Sequence, residues 1–330
     1  MINWDEIIDK LDYAFQPIIY AQSGKLYAVE ALLRNVQDIP NITPEGLYET
    51  AVYEKDDIKL IEVPYSMKAN FQNIQYSSEK TKSIEKELPN LTIKMDIYLP
   101  PNALNNHKQP LLVMIHGGGY SSGDKQAWQN EAYSYSRAGF VCASLNYRLT
   151  QNGGNQSPQM RLFAVQCALE DIQNGIRFLK KNADTYFIDT TRIVVFGGSA
   201  GGGLSLINAV EYDSNICTND FYGFSSKTNG SISTGATLIN DDPASQTGTL
   251  HYNANDSPVL LFHAKETDSS TGATWTANVL PTQKAIQESG NSCTIVEQPN
   301  LTHTVILEHS GDYWNYLKPF LWSQLRIDGL

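Results

Sequence analysis

Cysteine is scarce in this chain, and positive charge is outnumbered. Four cysteines stand among 330 residues: Cys142, Cys167, Cys217 and Cys293. No two are spaced C-x-x-C, which excludes a zinc ribbon or a thioredoxin-like pair. Cys142 sits in an apolar run and Cys167 in a helical pattern, the settings of buried free thiols. Cys217 and Cys293 lie in polar, loop-like surroundings, which leaves a disulfide between them open in an oxidising compartment. Lys and Arg number 24 against 35 Asp and Glu, a net charge of -11, with a pI near 5.0. That balance argues against a nucleic-acid partner, which needs a basic face, and against adsorption to anionic lipid. No stretch approaches the apolar length of a membrane span. The opening "MINWDEIIDK" has no basic segment leading into an apolar core, so it does not read as a signal peptide. The phosphate-binding spacings G-x-x-x-x-G-K-[ST] and G-x-G-x-x-G are both missing.

What is present is an ordinary globular composition, 41% hydrophobic and 18% charged, long enough for a large α/β domain with a small addition. Two regions read differently. Residues 11–33 pattern as a hairpin around Ser23-Gly24. A helix is expected after it, over 43–62, with Thr43 as N-cap and Pro44 at the first helical position. From about residue 66 strands and helices alternate. "LTIKMDIYLP", "PLLVMIH", "FVCASLNYRL", "RIVVFG", "SISTGATLI", "PVLLFHA" and "CTIVEQ" read as strands. Helices are expected between them and at the end, in "DYWNYLKPFLWSQL". Such alternation predicts a doubly wound, mostly parallel sheet, with functional groups at the carboxyl ends of its strands. The expected organisation is an extension over 1–65 and a main domain over 66–330.

One stretch breaks the grammar. "VVFGGSAGGG" empties a buried strand into glycines around Ser199. Gly197-Gly198-Ser199-Ala200-Gly201 is G-x-S-x-G between strand and helix, the setting of a nucleophile elbow. The serine there takes a strained turn that lifts its hydroxyl above the sheet. The residues two before and two after must be small, because strand and helix nearly touch. A second glycine run, His116-Gly117-Gly118-Gly119, ends another buried strand. Main-chain amides with no side chain in the way suit a site where negative charge develops on oxygen. The donors expected are Gly118, Gly119 and Ala200.

A serine nucleophile needs a base and an acid, following it in the order Ser, acid, His. His303 lies in the loop after the last strand and is the candidate base. His309 is the alternative, and His263 comes too early in the order. The acid should follow "PVLLFHA", in "KETDSST". Asp268 is the candidate and Glu266 the alternative.

Together these stretches resemble the α/β-hydrolase fold over residues 66–330, and in particular the hormone-sensitive-lipase-like esterases. The resemblance is carried by "DIYLP", "HGGGY", "LNYRL", "ALEDIQNGIRFLKKNADTYFIDTTRIVVFGGSAGG" and "PVLLFHAKETD". It implies a serine carboxylesterase acting through an acyl-enzyme, with no cofactor and no metal. The implied triad is Ser199, Asp268 and His303, and the implied oxyanion hole is Gly118, Gly119 and Ala200. Short-chain acyl esters, including sugar-linked acetyl or feruloyl esters, are the expected small-molecule substrates. Amidases, arylformamidases and peptidases of the same fold use the same triad. Two positions depart from the family. Its acid usually stands four residues after the strand-end histidine, where this chain has Thr267, and Asn146 replaces the aspartate of the family's "DYRL". The segment between Ser199 and Asp268 is too short for a large cap.

"FQPIIYAQSGKLYAVEALLR" resembles the start of an EAL domain, a cyclic-di-GMP phosphodiesterase whose Glu30 equivalent would ligate a metal. A complete EAL barrel is far longer than this segment. Residues 1–62 are therefore expected to be a structural remnant or fusion, and a candidate lid over the active-site mouth. The expected location is cytoplasmic as the chain stands, with secretion of the catalytic domain left open.

Overall fold

The computed structural model describes residues 57–71, 74–76, 85, 87–101, 103, 107–150, 156–215, 217–239 and 250–327, and the strands at 12–19 and 26–34. The chain divides into two compact units, Met1–Val52 and Tyr53–Leu330. In the first unit, β1 (Asp12–Ile19) pairs antiparallel with β2 (Leu26–Arg34), Asp12 lying opposite Arg34. This is the hairpin expected over 11–33.

The helix expected over 43–62 lies mostly outside the described residues. Its last part is not helical: β3 runs Lys59–Ala69. Ile61, Val63 and Tyr65 alternate inward while Leu60, Glu62 and Pro64 stay exposed. That period of two, on β-branched and aromatic residues, wins over the helical spacing. β3 then pairs antiparallel with β5 (Asn90–Leu99) along its whole length. Residues 59–65 therefore belong to the second unit, and the boundary expected at 65/66 falls instead at 52/53.

The second unit contains β4 (Ile74–Gln75), β6 (Gln109–Ile115), α1 (Gln129–Arg137), β7 (Val141–Leu145), β8 (Leu149–Thr150) and α2 (Pro158–Lys181). It continues with β9 (Ile188–Gly198), α3 (Ala200–Val210), β10 (Gly230–Thr234), β11 (Val259–Ala264), α4 (Leu280–Glu288), β12 (Cys293–Gln298) and α5 (Trp314–Leu325). Eight strands form one sheet in the order β12-β11-β10-β9-β6-β7-β5-β3. From β12 to β7 neighbouring strands are parallel; β5 and β3 are the antiparallel edge.

β6 shows why the sheet is covered on both faces. Leu111, Val113 and Ile115 pack into one cluster with Leu169, Ile172 and Ile176 of α2 and Leu204 and Ile207 of α3. Leu112 and Met114 pack into another with Ala132 and Tyr135 of α1 and Leu317 and Leu321 of α5. Alternate residues of one strand thus feed two cores, so the strand reads as a continuous apolar run. The resulting three-layer, doubly wound arrangement places the ends of β6, β9, β10, β11 and β12 side by side.

All four cysteines are free. Cys217 and Cys293 form no disulfide, and Cys293 is buried at the start of β12 rather than on a loop. Burial pushes all four thiols up to about 12.

The expected strand over 140–149 is interrupted. β7 stops at Leu145, and Asn146, Tyr147 and Arg148 leave the sheet before β8 pairs with β4. All three are buried. Arg148 is fixed by Asp171 of α2, which accepts from its Nε at 2.9 Å and from its backbone N–H at 2.8 Å. Asn146 Oδ1 accepts from the Lys125 amide at 2.6 Å, and its Nδ2 donates to Asp124 at 3.3 Å. The asparagine supplies one acceptor and one donor where an aspartate would supply acceptors alone. Asn146→Asp should cost about 1–3 kcal/mol, because a buried carboxylate would then face the half-buried Asp124 without a proton between them. Urea unfolding at neutral pH measures this, and an unchanged midpoint would contradict it.

Candidate active site

The site is built where β9 passes into α3. Ser199 has φ 55° and ψ -122°, a conformation that costs energy in any residue with a side chain. Its surroundings enforce it. The Ser199 N–H donates to the Thr234 carbonyl at 2.9 Å, and its own carbonyl accepts the first helical bond, from Gly203. A Cβ on Gly197 would lie 2.0 Å from the Gly201 carbonyl oxygen. A Cβ on Gly201 would lie 2.1 Å from that of Ile115. Both glycines are therefore required by close backbone approach, as the motif spacing predicts.

His303 reaches the serine from the loop after β12. Its Nε2 lies 2.7 Å from Ser199 Oγ, and its Nδ1 lies 2.8 Å from Asp268 Oδ2. Asp268 is 1% exposed and sits in a tight turn after β11, closed by hydrogen bonds between Asp268 and Ala273 and between Gly272 and Asp268. Its Oδ1 accepts from the amides of Ser270 and Thr271 and from the Thr271 hydroxyl. Burial acts to raise this carboxyl, but the His303 hydrogen bond and the two amides outweigh it and hold it at about 2. Glu266 is exposed and accepts from Asn300 instead. His309 lies elsewhere, packed against Trp314 and Tyr135, and burial lowers it to about 4. His263 is buried at the end of β11, and burial lowers it too. Of the candidates, the structure brings together Ser199, His303 and Asp268.

The second glycine run curls beside the serine. Gly118 has φ 108° and Gly119 φ 59°, both in the region that favours glycine. A Cβ on Gly118 would lie 2.1 Å from the Ser122 carbonyl oxygen. That carbonyl belongs to a turn in which the Ser121 and Ser122 amides both donate to the Gly118 carbonyl. Beneath the loop, His116 stacks on Tyr147 at 4.2 Å, and the Tyr147 hydroxyl donates to the His116 carbonyl at 2.8 Å. Burial depresses the His116 imidazole to about 4, so it supports the loop as a neutral ring. Ala200 opens α3, so its N–H has no acceptor within the helix and stands at the positive end of the helix dipole.

Gly118, Gly119, Ser199, Ala200 and His303 line one cavity of about 960 Å³. Its walls also include Trp128, Glu131, Arg161 and Ile306. Chemically, the site offers a hydroxyl beside an imidazole and an imidazole oriented by a carboxylate, in a cavity that Gly118, Gly119 and Ala200 also line. Spacing did not single out Thr234, Gly235, Gln298 or Tyr147. Thr234 and Gly235 line the cavity, Gln298 is buried behind them, and Tyr147, although it lies within "LNYRL", shows its role only through its contacts with His116.

Residues 95–240 match the BD-FAE family model. Prolyl endopeptidase FAP of Homo sapiens is 29% identical over 45% of this chain and 19% of its own length. The probable carboxylic ester hydrolase LipM of Mycobacterium tuberculosis is 27% identical over 35% of this chain and 25% of its own. The chain thus spans about a fifth to a quarter of the length of these curated relatives. Among solved structures, a butyrate-bound thermophilic esterase from Thermogutta terrifontis superposes with a TM-score of 0.58. It is 20% identical and covers 72% of this chain and 91% of its own. The chain has the α/β-hydrolase fold. The EAL likeness of residues 10–62 is not borne out: the family match lies elsewhere, and β3 of that segment is built into the hydrolase sheet. Among the described residues, no helix is long and apolar enough to cross a membrane.

The depressed Asp268 carboxyl ties stability to acid pH. The carboxyl titrates near 2 when folded and near 4 when unfolded. The stabilisation is therefore complete above about pH 4 and is lost as pH falls towards 2. Asp268→Asn should remove that part of the acid sensitivity. Urea midpoints compared between pH 5 and pH 2 should fall less in the variant than in the wild type; an equal fall would contradict the assignment.

Proposed function

We propose that this α/β-hydrolase is a carboxylic ester hydrolase that works through an acyl-enzyme on Ser199. The observation that carries the reading is the continuous line from Ser199 Oγ to His303 Nε2 and from His303 Nδ1 to Asp268, at 2.7 and 2.8 Å. His303 takes the Ser199 proton as Oγ attacks the ester carbonyl. Asp268 orients the imidazole and stabilises its protonated form without accepting the proton. The Gly118, Gly119 and Ala200 amides receive the oxyanion. His303 then protonates the departing alkoxide, and water enters by the reverse route to release the acid. Short-chain acyl esters, including sugar-linked acetyl or feruloyl esters, are the proposed substrates. The similarity to the probable carboxylic ester hydrolase LipM supports an ester as the substrate.

A peptidase is the second reading, favoured by the similarity to prolyl endopeptidase FAP. The same hydrogen-bonded line would serve it, with the imidazole protonating an amine instead of an alkoxide. A p-nitrophenyl ester series from acetate to laurate, run with EDTA, separates the two when set beside prolyl p-nitroanilides. Ester hydrolysis should dominate and survive EDTA, and Ser199→Ala should lower kcat by about 10⁴–10⁶. Faster anilide cleavage would favour the peptidase, and ester hydrolysis persisting in Ser199→Ala would overturn the mechanism.

A further inference from the structure

His303 is placed by a loop, yet its distance to Ser199 must hold to a fraction of an ångström. Two buried side chains tie that loop to the serine's own backbone. Thr234, at the end of β10, is 1% exposed, and Gln298, at the end of β12, is 2% exposed. The Thr234 carbonyl accepts from the Ser199 N–H at 2.9 Å. The Thr234 hydroxyl accepts from the Val305 N–H at 3.0 Å and donates to Gln298 Oε1 at 3.2 Å. Gln298 Nε2 donates to the His303 carbonyl and to the Thr302 hydroxyl, both at 3.0 Å. Thr302 in turn donates to the Pro299 carbonyl at 2.6 Å. Next to Thr234, Gly235 has φ 69°, and a Cβ there would lie 2.2 Å from the His303 carbonyl oxygen.

We infer that Thr234 and Gln298 are positioning residues that fix His303 against Ser199. The chain of bonds runs from the serine amide through Thr234 and Gln298 to the His303 carbonyl. It is independent of the hydrogen bond between the two reacting side chains. Residues 302, 303 and 305 are thereby held on both sides of the imidazole. The Gln298 amide uses its oxygen and both N–H groups, so no rotation of its side chain preserves the set. Thr234 and Gln298 are both buried, so losing the side chain of one leaves a polar group of the other unsatisfied at the same place. The inference rests on the serine mechanism proposed above.

Thr234→Val keeps the shape and removes the hydroxyl; Gln298→Met keeps the length and removes the amide. Each should lower kcat for p-nitrophenyl acetate by about 10–100-fold, the scale of a misplaced reacting group, with KM little changed. Thr234→Ser, which restores the hydroxyl, should recover most of the loss. The low-field proton resonance between His303 and Asp268 should broaden or vanish in Thr234→Val and Gln298→Met and persist in Thr234→Ser. A merely structural role would lower thermal stability and leave kcat and this resonance as in the wild type in the folded variants. That result would overturn the inference. If the first two variants do not fold, Gln298→Asn decides, since it keeps the amide and shortens its reach: a lowered kcat supports the inference and an unchanged one overturns it. The resonance is read without substrate. A wild type that hydrolyses no ester would sink the proposed function while leaving the positioning test intact.

Discussion

The backbone contact between Gly201 and the end of β6 is the constraint on which the rest of the site depends. It presses α3 against the central sheet so closely that a single Cβ would meet a carbonyl oxygen 2.1 Å away. With β9 arriving from one side and α3 leaving on the other, the chain has one residue in which to turn. That residue is Ser199, and its positive φ is the result. The same geometry brings the hydroxyl to 2.7 Å from His303 Nε2 and starts α3 at the very next residue. Local strain, helix dipole and hydroxyl exposure are thus three outcomes of one packing requirement.

Everything else converges on that turn from neighbouring strand ends. β6 delivers the Gly118–Gly119 loop, braced by the His116–Tyr147 stack. β10 delivers Thr234, which holds the serine amide and the histidine loop at once. β11 delivers Asp268 on a turn where the His303 hydrogen bond and the Ser270 and Thr271 amides hold its carboxyl low. β12 delivers His303, steadied by Gln298. A parallel sheet makes this possible, because its strands end on the same side. The two buried cores on either face hold those ends in register.

Much of this was legible in the sequence, for identifiable reasons. The strand β6 declares itself as an apolar run, Leu111–Ile115, that feeds both cores, and the glycines at 197 and 201 declare a close approach that no larger residue survives. Asp268 could be separated from Glu266 only by the turn at 268–273, where hydrogen bonds between non-adjacent residues decide which carboxylate points inward. The end of the helix expected over 43–62 shows the opposite limit. Residues 59–62 carry helical spacing, but pairing with β5 overrides it, and a single sequence does not show that partner. Thr234 and Gln298 stayed hidden because each acts through contacts distant in the chain, 71 residues apart for Thr234 and Val305.

The most direct measurement is acid-quenched turnover of p-nitrophenyl acetate, followed by peptide mapping of the protein. The account predicts a transient acetyl group on the peptide containing Ser199, absent from Ser199→Ala. Turnover with no acetyl on Ser199, or with acetyl carried by another residue, would contradict it.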